Sequence, residues 1–172
     1  AVMATLYPFN GEPGPWSERL PHFRHDRPLP VPDQLQSEYF LPRYRVIEAL
    51  RALRTIGDRL DPHLVITEIR SMAGDTLWLS PAFGHDSISI AFSWKMNVGA
   101  VAALTAEIET LLLPLEGRPH WGKILHASSK ELEPLYSRLP AFRDLVRSFD
   151  PMRKFHNRFL ETHVYTSTSG IA

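Results

Sequence analysis

The chain has 172 residues, of which 44% are hydrophobic and 22% are charged, which is enough for one domain with a sizeable core. Lysine plus arginine and aspartate plus glutamate number 19 each, and this balance argues against nucleic acid or an anionic membrane surface as a partner. The absence of cysteine excludes disulfides, thiolate catalysis and cysteine-ligated metals, and we expect a cytoplasmic protein. No apolar run approaches the roughly 20 residues of a membrane-spanning helix, so none is predicted.

The first 33 residues are rich in proline, which fixes φ and removes amide donors, so no regular helix or central strand is predicted there. Aromatic residues in the same stretch indicate packing rather than a free linker. We therefore predict an irregular lead-in over 1–33 that packs on the rest, a main domain over 34–164, and a frayed tail over 165–172.

Hydrophobic periodicity predicts the remaining elements. They are, in chain order, a strand over 36–41, a helix over 44–60, strands over 64–71, 76–80 and 87–94, a helix over 98–113, a strand over 118–125, and helices over 129–136 and 140–149. This order indicates an α+β fold, with a mostly antiparallel sheet and helices packed on one face. The opposite face of the sheet must then meet solvent, another domain or a ligand.

The strand over 64–71 carries the most informative pair of side chains. Glu68 and Arg70 are two residues apart and therefore project from one face, together with Leu64 and Ile66. The pattern allows a surface ion pair, worth about 0–1 kcal/mol. It equally allows a polar pocket floor, in which Arg70 donates to a polyhydroxylated ligand and Glu68 accepts from it.

Two other segments also allow two interpretations. Small residues on one face of the strand over 87–94, including Ala91 and Ser93, either leave room for a bulky ligand or mark a solvent-facing strand. In the segment over 120–123, Gly122 permits the close approach of a flat ring with Lys123 reaching over it, or simply forms a turn with a surface lysine. The chain has no zinc-binding His pair and no glycine-rich phosphate loop.

Six segments resemble bacterial alditol oxidases in order along the chain: 14–24, 35–43, 68–70, 78–82, 120–123 and 150–157. These enzymes belong with the aldonolactone oxidases, the D-arabinono-1,4-lactone oxidase family of the vanillyl-alcohol-oxidase-type flavoproteins. The resemblance implies the C-terminal, substrate-binding (cap) portion of a two-domain flavoprotein. Its own N-terminal domain would hold FAD through a covalently attached histidine, and this chain alone would be inactive.

The resemblance also implies roles for individual residues. The catalytic residues would be Arg70, Lys123 and Glu68, and the substrate-binding residues would be Glu68, Arg70, Ser93 and Lys123. The cofactor-binding residues would be His120, Trp121, Gly122, Lys123 and Asn157. Two positions depart from the family pattern, since Ala91 stands where alditol oxidases carry histidine and Arg153 stands where glycine is expected.

The function implied by the resemblance is oxidation of a polyol or sugar alcohol to the carbonyl product, with reduction of oxygen to hydrogen peroxide. Two alternatives stay open: an aldonolactone oxidase or dehydrogenase with the same cap, and a stand-alone carbohydrate-binding module. The expected partners are a small polyol or sugar-lactone substrate and the chain's own flavin-binding domain. We also expect an exposed apolar patch where that domain binds, and self-association of the chain through it.

Overall fold

The computed structural model describes residue 13 and residues 33–165. Contacts between Cα atoms divide the chain into one unit over Ala1–Asp33 and another over Gln34–Ala172. The predicted packing of the lead-in and nearly all of the predicted tail lie outside the described residues.

A four-stranded sheet organises residues 33–165. Its strands are β1 (Leu35–Pro42), β2 (Leu64–Met72), β3 (Ser87–Trp94) and β4 (Arg118–Pro119), in the spatial order β2-β3-β1-β4. All three pairings are antiparallel, which confirms the predicted α+β fold. The strand predicted over 118–125 ends after two residues, because the backbone turns at His120, whose carbonyl accepts the Lys123 amide at 3.1 Å.

Six α-helices lie in the described part of the chain. They are α1 (Val46–Arg54), α2 (Gly57–Leu60), α3 (Val98–Leu112), α4 (Ser129–Leu132), α5 (Leu139–Phe149) and α6 (Arg158–His163). The helix predicted over 44–60 breaks between α1 and α2, where the amides of Thr55 and Ile56 bond three residues back instead of four. A capping box formed by Ser128 and Glu131 begins α4.

The hydrophobic core lies between the sheet and the helices α1 to α3. The predicted alternation of β3 is confirmed, since Ile90, Phe92 and Trp94 are buried on one face. They pack with apolar side chains of β1, α1, α2 and α3: Tyr39, Leu41, Leu53, Leu60, Val101, Ile108 and Leu112. A second cluster forms beyond β4, among α4, α5, α6 and the loop that follows β4.

Helix α3 and the turn after it, Val98–Leu115, are long and apolar enough to cross a membrane by length and composition alone. Of that window, 33% is buried inside the protein. Val101, Ile108 and Leu112 belong to this buried part and face the core beneath the sheet.

The strand predicted over 76–80 is wrong. The Asp75 carboxylate accepts hydrogen bonds from the Leu77 amide at 3.0 Å and from the Ser80 hydroxyl at 2.5 Å. These local bonds compete with a strand ladder, and only an isolated bridge between Asp75 and Phe83 remains. The segment is therefore a loop closed on its own side chains.

Candidate functional site

The sheet face opposite the helices carries most of the predicted site residues. The strand register places two rows across β1, β3 and β2: Glu38, Ala91 and Glu68 in one, and Phe40, Ser89 and Arg70 in the next. Ser93 shares this face one step further along β3, opposite Gln36 of β1. We call this surface the outer face.

Leu64 does not share the outer face, contrary to the sequence prediction. It lies opposite Trp94 and packs against the core, whereas Ile66 lies opposite Ser93. A β-bulge between Leu64 and Ile66 adds one residue and reverses the alternation at the start of β2. Beyond the bulge, the charged pair of β2 lies on the outer face as predicted.

An ion-pair network joins three elements across the outer face. The Lys123 ammonium lies 2.8 Å from Oε2 of Glu38, and the Arg70 guanidinium lies 3.8 Å from Oε1 of the same carboxylate. Arg70 also lies 2.7 Å from Oε1 of Glu68. The Glu38 side chain is only 9% exposed, whereas those of Arg70 and Glu68 are 51% and 45% exposed. Glu38 is therefore the buried centre of what we call the Glu38 network.

The surroundings of Glu38 keep it ionised. Burial alone would raise the pKa of its carboxyl, but the hydrogen bond from Lys123, the Ser89 hydroxyl, and the charges of Lys123 and His120 hold the pKa below its ordinary value. The carboxylate is thus a fixed negative charge that faces two cations at neutral pH.

The Ser89 hydroxyl is fully buried on the outer face, between the rings and charges of the neighbouring strands. Within residues 33–165 it has no hydrogen-bond partner of normal geometry, although it is close enough to affect the pKa of Glu38. A buried hydroxyl without a partner is costly. Its position beside Glu38 gives it a role in keeping that carboxyl ionised.

His120 begins the turn that positions Lys123. Its amide donates to the Glu38 carbonyl at 2.9 Å, its Nδ1 accepts the Gly122 amide at 2.9 Å, and its ring lies 5.9 Å from that of Phe40. Burial lowers the pKa of His120, and although Glu38 opposes this, Lys123 adds to it. These contacts of His120 fix the turn, so Lys123 is held above β1.

Trp121 and Asn157 make contacts within the chain that account for their orientation. The Trp121 indole donates to the Leu79 carbonyl at 3.0 Å and packs 5.0 Å from the Tyr136 ring. The Asn157 side-chain oxygen accepts the Leu160 amide at 2.9 Å and so caps α6. Cofactor binding by these two residues and by His120 and Gly122 stays a prediction.

Glu38 is the residue that sequence reasoning missed. The signal was present, because a carboxylate stands beside Tyr39, Phe40 and Leu41 in a predicted strand, which the structure places inside the sheet. Acidic residues are depleted from such strands, and the cation that balances this one lies 85 residues away in sequence. Only the folded register brings the two together.

Comparison with known proteins identifies a family model and several relatives that match this chain. The family model described as "D-arabinono-1,4-lactone oxidase" matches residues 23–163. The chain is 43% identical to an alditol oxidase from a Streptomyces species over 150 residues, which is 87% of this chain and 36% of that protein.

More distant similarity extends to sugar-lactone enzymes. The chain is 30% identical to mouse L-gulonolactone oxidase over 74% of this chain and 30% of that protein. It is 33% identical to L-gulono-1,4-lactone dehydrogenase of Mycobacterium tuberculosis, over 72% of this chain and 29% of that protein. The chain thus spans about a third of the length of the relatives it matches. The family match, which covers residues 23–163, shows that the chain belongs to the D-arabinono-1,4-lactone oxidase family.

Proposed function

We propose that the chain forms the substrate-binding part of an FAD-dependent oxidase that converts a polyol or sugar alcohol to its carbonyl product and reduces oxygen to hydrogen peroxide. The observation that carries the proposal is the Glu38 network, which brings the cations Lys123 and Arg70 together with the half-exposed carboxylate of Glu68 on the outer face. The 43% identity to an alditol oxidase supports the polyol as substrate class.

The exposure of Arg70 and Glu68 argues that this part of the Glu38 network serves binding rather than folding. The Arg70–Glu68 pair is about half exposed, and such pairs contribute only about 0–1 kcal/mol to stability. Side by side, the guanidinium offers donors and the carboxylate offers acceptors, which is the pattern that adjacent hydroxyl groups require. The second interpretation of the Glu68 and Arg70 pair, a polar pocket floor, is therefore the one we adopt.

FAD, which the family resemblance implies, would supply the hydride acceptor when bound. The donor set of the outer face suits the ring end of such a cofactor, because cations stabilise the negative charge of a reduced flavin. Lys123 is the residue that we propose to face it. The covalent attachment site and the phosphate contacts are proposed to lie in another part of the protein.

The residues of this chain would act by electrostatics and orientation. Arg70 and Lys123 would stabilise the alkoxide that develops as the reacting hydroxyl passes its proton to Glu68, the half-exposed carboxylate beside Arg70. Glu68 would also accept a hydrogen bond from a neighbouring hydroxyl and so orient the carbon chain. Ser93, on the same face, would bind a more distant hydroxyl.

A hybrid enzyme tests this proposal directly. The chain would replace the matching segment of the Streptomyces alditol oxidase, and xylitol oxidation would be assayed in hybrids carrying Arg70→Ala or Lys123→Ala. We expect kcat/KM to fall by about 10²- to 10³-fold in each, because a charge that stabilises the developing alkoxide is lost. Arg147→Ala and Lys130→Ala are matched controls, since both side chains are exposed and lie away from the outer face. Unchanged turnover in Arg70→Ala and Lys123→Ala would refute the assigned roles.

A sugar-lactone substrate is the second candidate, and Ala91 is the observation that favours it. Ala91 lies between Glu38 and Glu68 in one row of the outer face, so a methyl group occupies the place where alditol oxidases carry a ring donor. An imidazole there would stand between two carboxylates and could donate to a distal hydroxyl of an extended polyol. Without that donor, the outer face lacks a contact that an extended polyol would use.

Replacing Ala91 by histidine separates the two substrate classes. In the hybrid, Ala91→His should raise kcat/KM for xylitol relative to L-gulono-1,4-lactone by about tenfold, the value of one hydrogen bond gained by the extended substrate. Ala91→Val adds bulk without a donor and serves as the control. An equal effect of the two substitutions on both substrates would show that position 91 does not select between them.

Exposed apolar side chains lie in and around the turn between α5 and α6. Phe149, Met152 and Phe155 are 81%, 77% and 78% exposed. We propose that a flavin-binding domain covers such residues and that the isolated chain self-associates through them. Sedimentation of the chain as a monomer at high concentration would contradict the proposed self-association.

Sugar binding by the chain together with an inactive hybrid would favour the alternative of a stand-alone carbohydrate-binding module.

A further inference from the structure

We propose that Glu38 is a positioning residue that aligns Lys123 and Arg70 towards the substrate. The inference rests on the proposed function, because it assigns to Glu38 the orientation of the two cations that would act on the reacting hydroxyl. It adds a residue of β1 to a site otherwise built from β2, β3 and the turn after β4.

The geometry gives Glu38 a different position from the other acid of the network. Its two carboxylate oxygens point to different cations, with Oε2 at 2.8 Å from Lys123 and Oε1 at 3.8 Å from Arg70. Its side chain is 9% exposed, whereas Glu68 is 45% exposed. Glu68 is therefore accessible to a ligand, while Glu38 lies beneath the cations and reaches a ligand only through them.

Backbone hydrogen bonds also join β1, which carries Glu38, to the turn that carries Lys123. The Glu38 carbonyl accepts the His120 amide at 2.9 Å, and the Gln36 carbonyl accepts the Ile124 amide at 3.0 Å. These bonds fix both ends of the turn that carries Lys123, and the carboxylate of Glu38 then fixes the end of the lysine side chain. A lysine has four rotatable side-chain bonds, so this second attachment determines where its charge is placed.

The charge of Glu38 is maintained where a buried carboxylate would otherwise become neutral. Lys123 donates to it, and the Ser89 hydroxyl lies beside it in the adjacent row. The ionised carboxylate attracts both cations, Lys123 at 2.8 Å and Arg70 at 3.8 Å, and so restrains where each charge lies. Glutamine has nearly the shape of glutamate but no charge. Glu38→Gln therefore separates the effect of the charge from that of the shape.

Side-chain NMR of the 172-residue chain tests the inference without any flavin. In the wild type, we expect a slowly exchanging ammonium signal from Lys123, because the hydrogen bond to Glu38 protects its protons. Glu38→Gln should abolish or strongly broaden that signal while the backbone spectrum stays folded. Glu48→Gln, on the exposed face of α1, is the matched control and should leave the signal unchanged. An unchanged Lys123 signal in Glu38→Gln would overturn the proposal.

Kinetics in the flavin-loaded hybrid give the functional readout. Glu38→Gln should lower kcat by about 10²-fold with a smaller change in KM, since misplacing a catalytic group by about 1 Å costs that much. Glu38→Asp keeps the charge and should recover part of the loss. A purely structural role would instead lower the yield of folded protein and leave kcat per folded enzyme unchanged, which would overturn the proposal. If the wild-type hybrid is inactive, the proposed function fails, and the NMR result still decides the role of Glu38.

Discussion

Glu38 of β1 and Glu109 of α3 are both buried acidic residues, with 7% and 3% of the whole residue exposed. The pKa values of their carboxyl groups move in opposite directions. Burial raises the pKa of Glu109 to about 7, although the amides of His126 and Ala127 oppose the change. The same effect on Glu38 is outweighed by Lys123 and its other neighbours, and its pKa is lowered. Burial is common to both, so the difference comes from the partners.

The partners of Glu109 belong to the backbone. Its Oε1 accepts the His126 amide at 2.9 Å, and its Oε2 accepts the Ala127 amide at 2.6 Å. These bonds tie α3 to the loop that enters the second apolar cluster. Glu109 is held by neutral backbone donors within the fold, whereas Glu38 is held by two cations and is the carboxylate that we propose to position the substrate-binding residues.

The largest predicted effect concerns Glu109 and the pH dependence of the free energy of unfolding. Because the pKa of Glu109 is raised from 4.5 to about 7, the folded state binds the proton more tightly than the unfolded state. The free energy of unfolding should then fall by about 3 kcal/mol as the pH rises from about 4.5 past 7. Glu109→Gln should remove this dependence, as measured by urea unfolding at several pH values.

The control for that measurement is Glu107→Gln, on the same helix and more exposed. It should leave the pH dependence of the free energy of unfolding as it is in the wild type. The same slope in the wild type and in Glu109→Gln would show that Glu109 titrates normally, and the contrast with Glu38 would be lost.

A smaller effect concerns Glu38 itself. Because the pKa of Glu38 is lower in the folded protein, the carboxylate stabilises the fold above the ordinary pKa of 4.5. This stabilisation is lost as the pH falls through the pKa in the folded protein, which is the opposite pH dependence to that of Glu109. Lys123→Met leaves the burial and removes the hydrogen bond and the charge, so the pKa of Glu38 should rise relative to the wild type. Carbon NMR of the labelled carboxyl would measure it, with Lys130→Met as control. An unchanged titration would mean that Lys123 does not hold the carboxylate charged.

Local patterns in the sequence were enough to predict a large part of the fold. The alternation of β3 identified its buried face, and the spacing of Glu68 and Arg70 placed both on the outer face. The bulge after Leu64 was not predictable from alternation, because alternation is the assumption that a bulge breaks. The loop around Asp75 was missed because side-chain hydrogen bonds there replace a ladder that the pattern alone would favour.

The candidate site was predictable only where its residues are close in sequence or match the family pattern. Lys123 was named from the resemblance, but its partner was not, since the contact with Glu38 depends on how the turn after β4 returns to β1. The left-handed backbone at Arg153, with φ of 53°, agrees with the glycine that the resemblance placed there. Long-range pairing is thus the part that periodicity could not supply.

The most direct measurement compares the two carboxylates in one assay. Glu38→Gln and Glu109→Gln would be introduced separately into the hybrid alditol oxidase, and kcat/KM for xylitol would be measured per folded, flavin-loaded enzyme. We predict a loss of about 10²-fold for Glu38→Gln and a value close to the wild type for Glu109→Gln, whose effect is on stability. Equal losses in the two variants, or a loss confined to Glu109→Gln, would contradict the assignment of the outer face as the substrate-binding site.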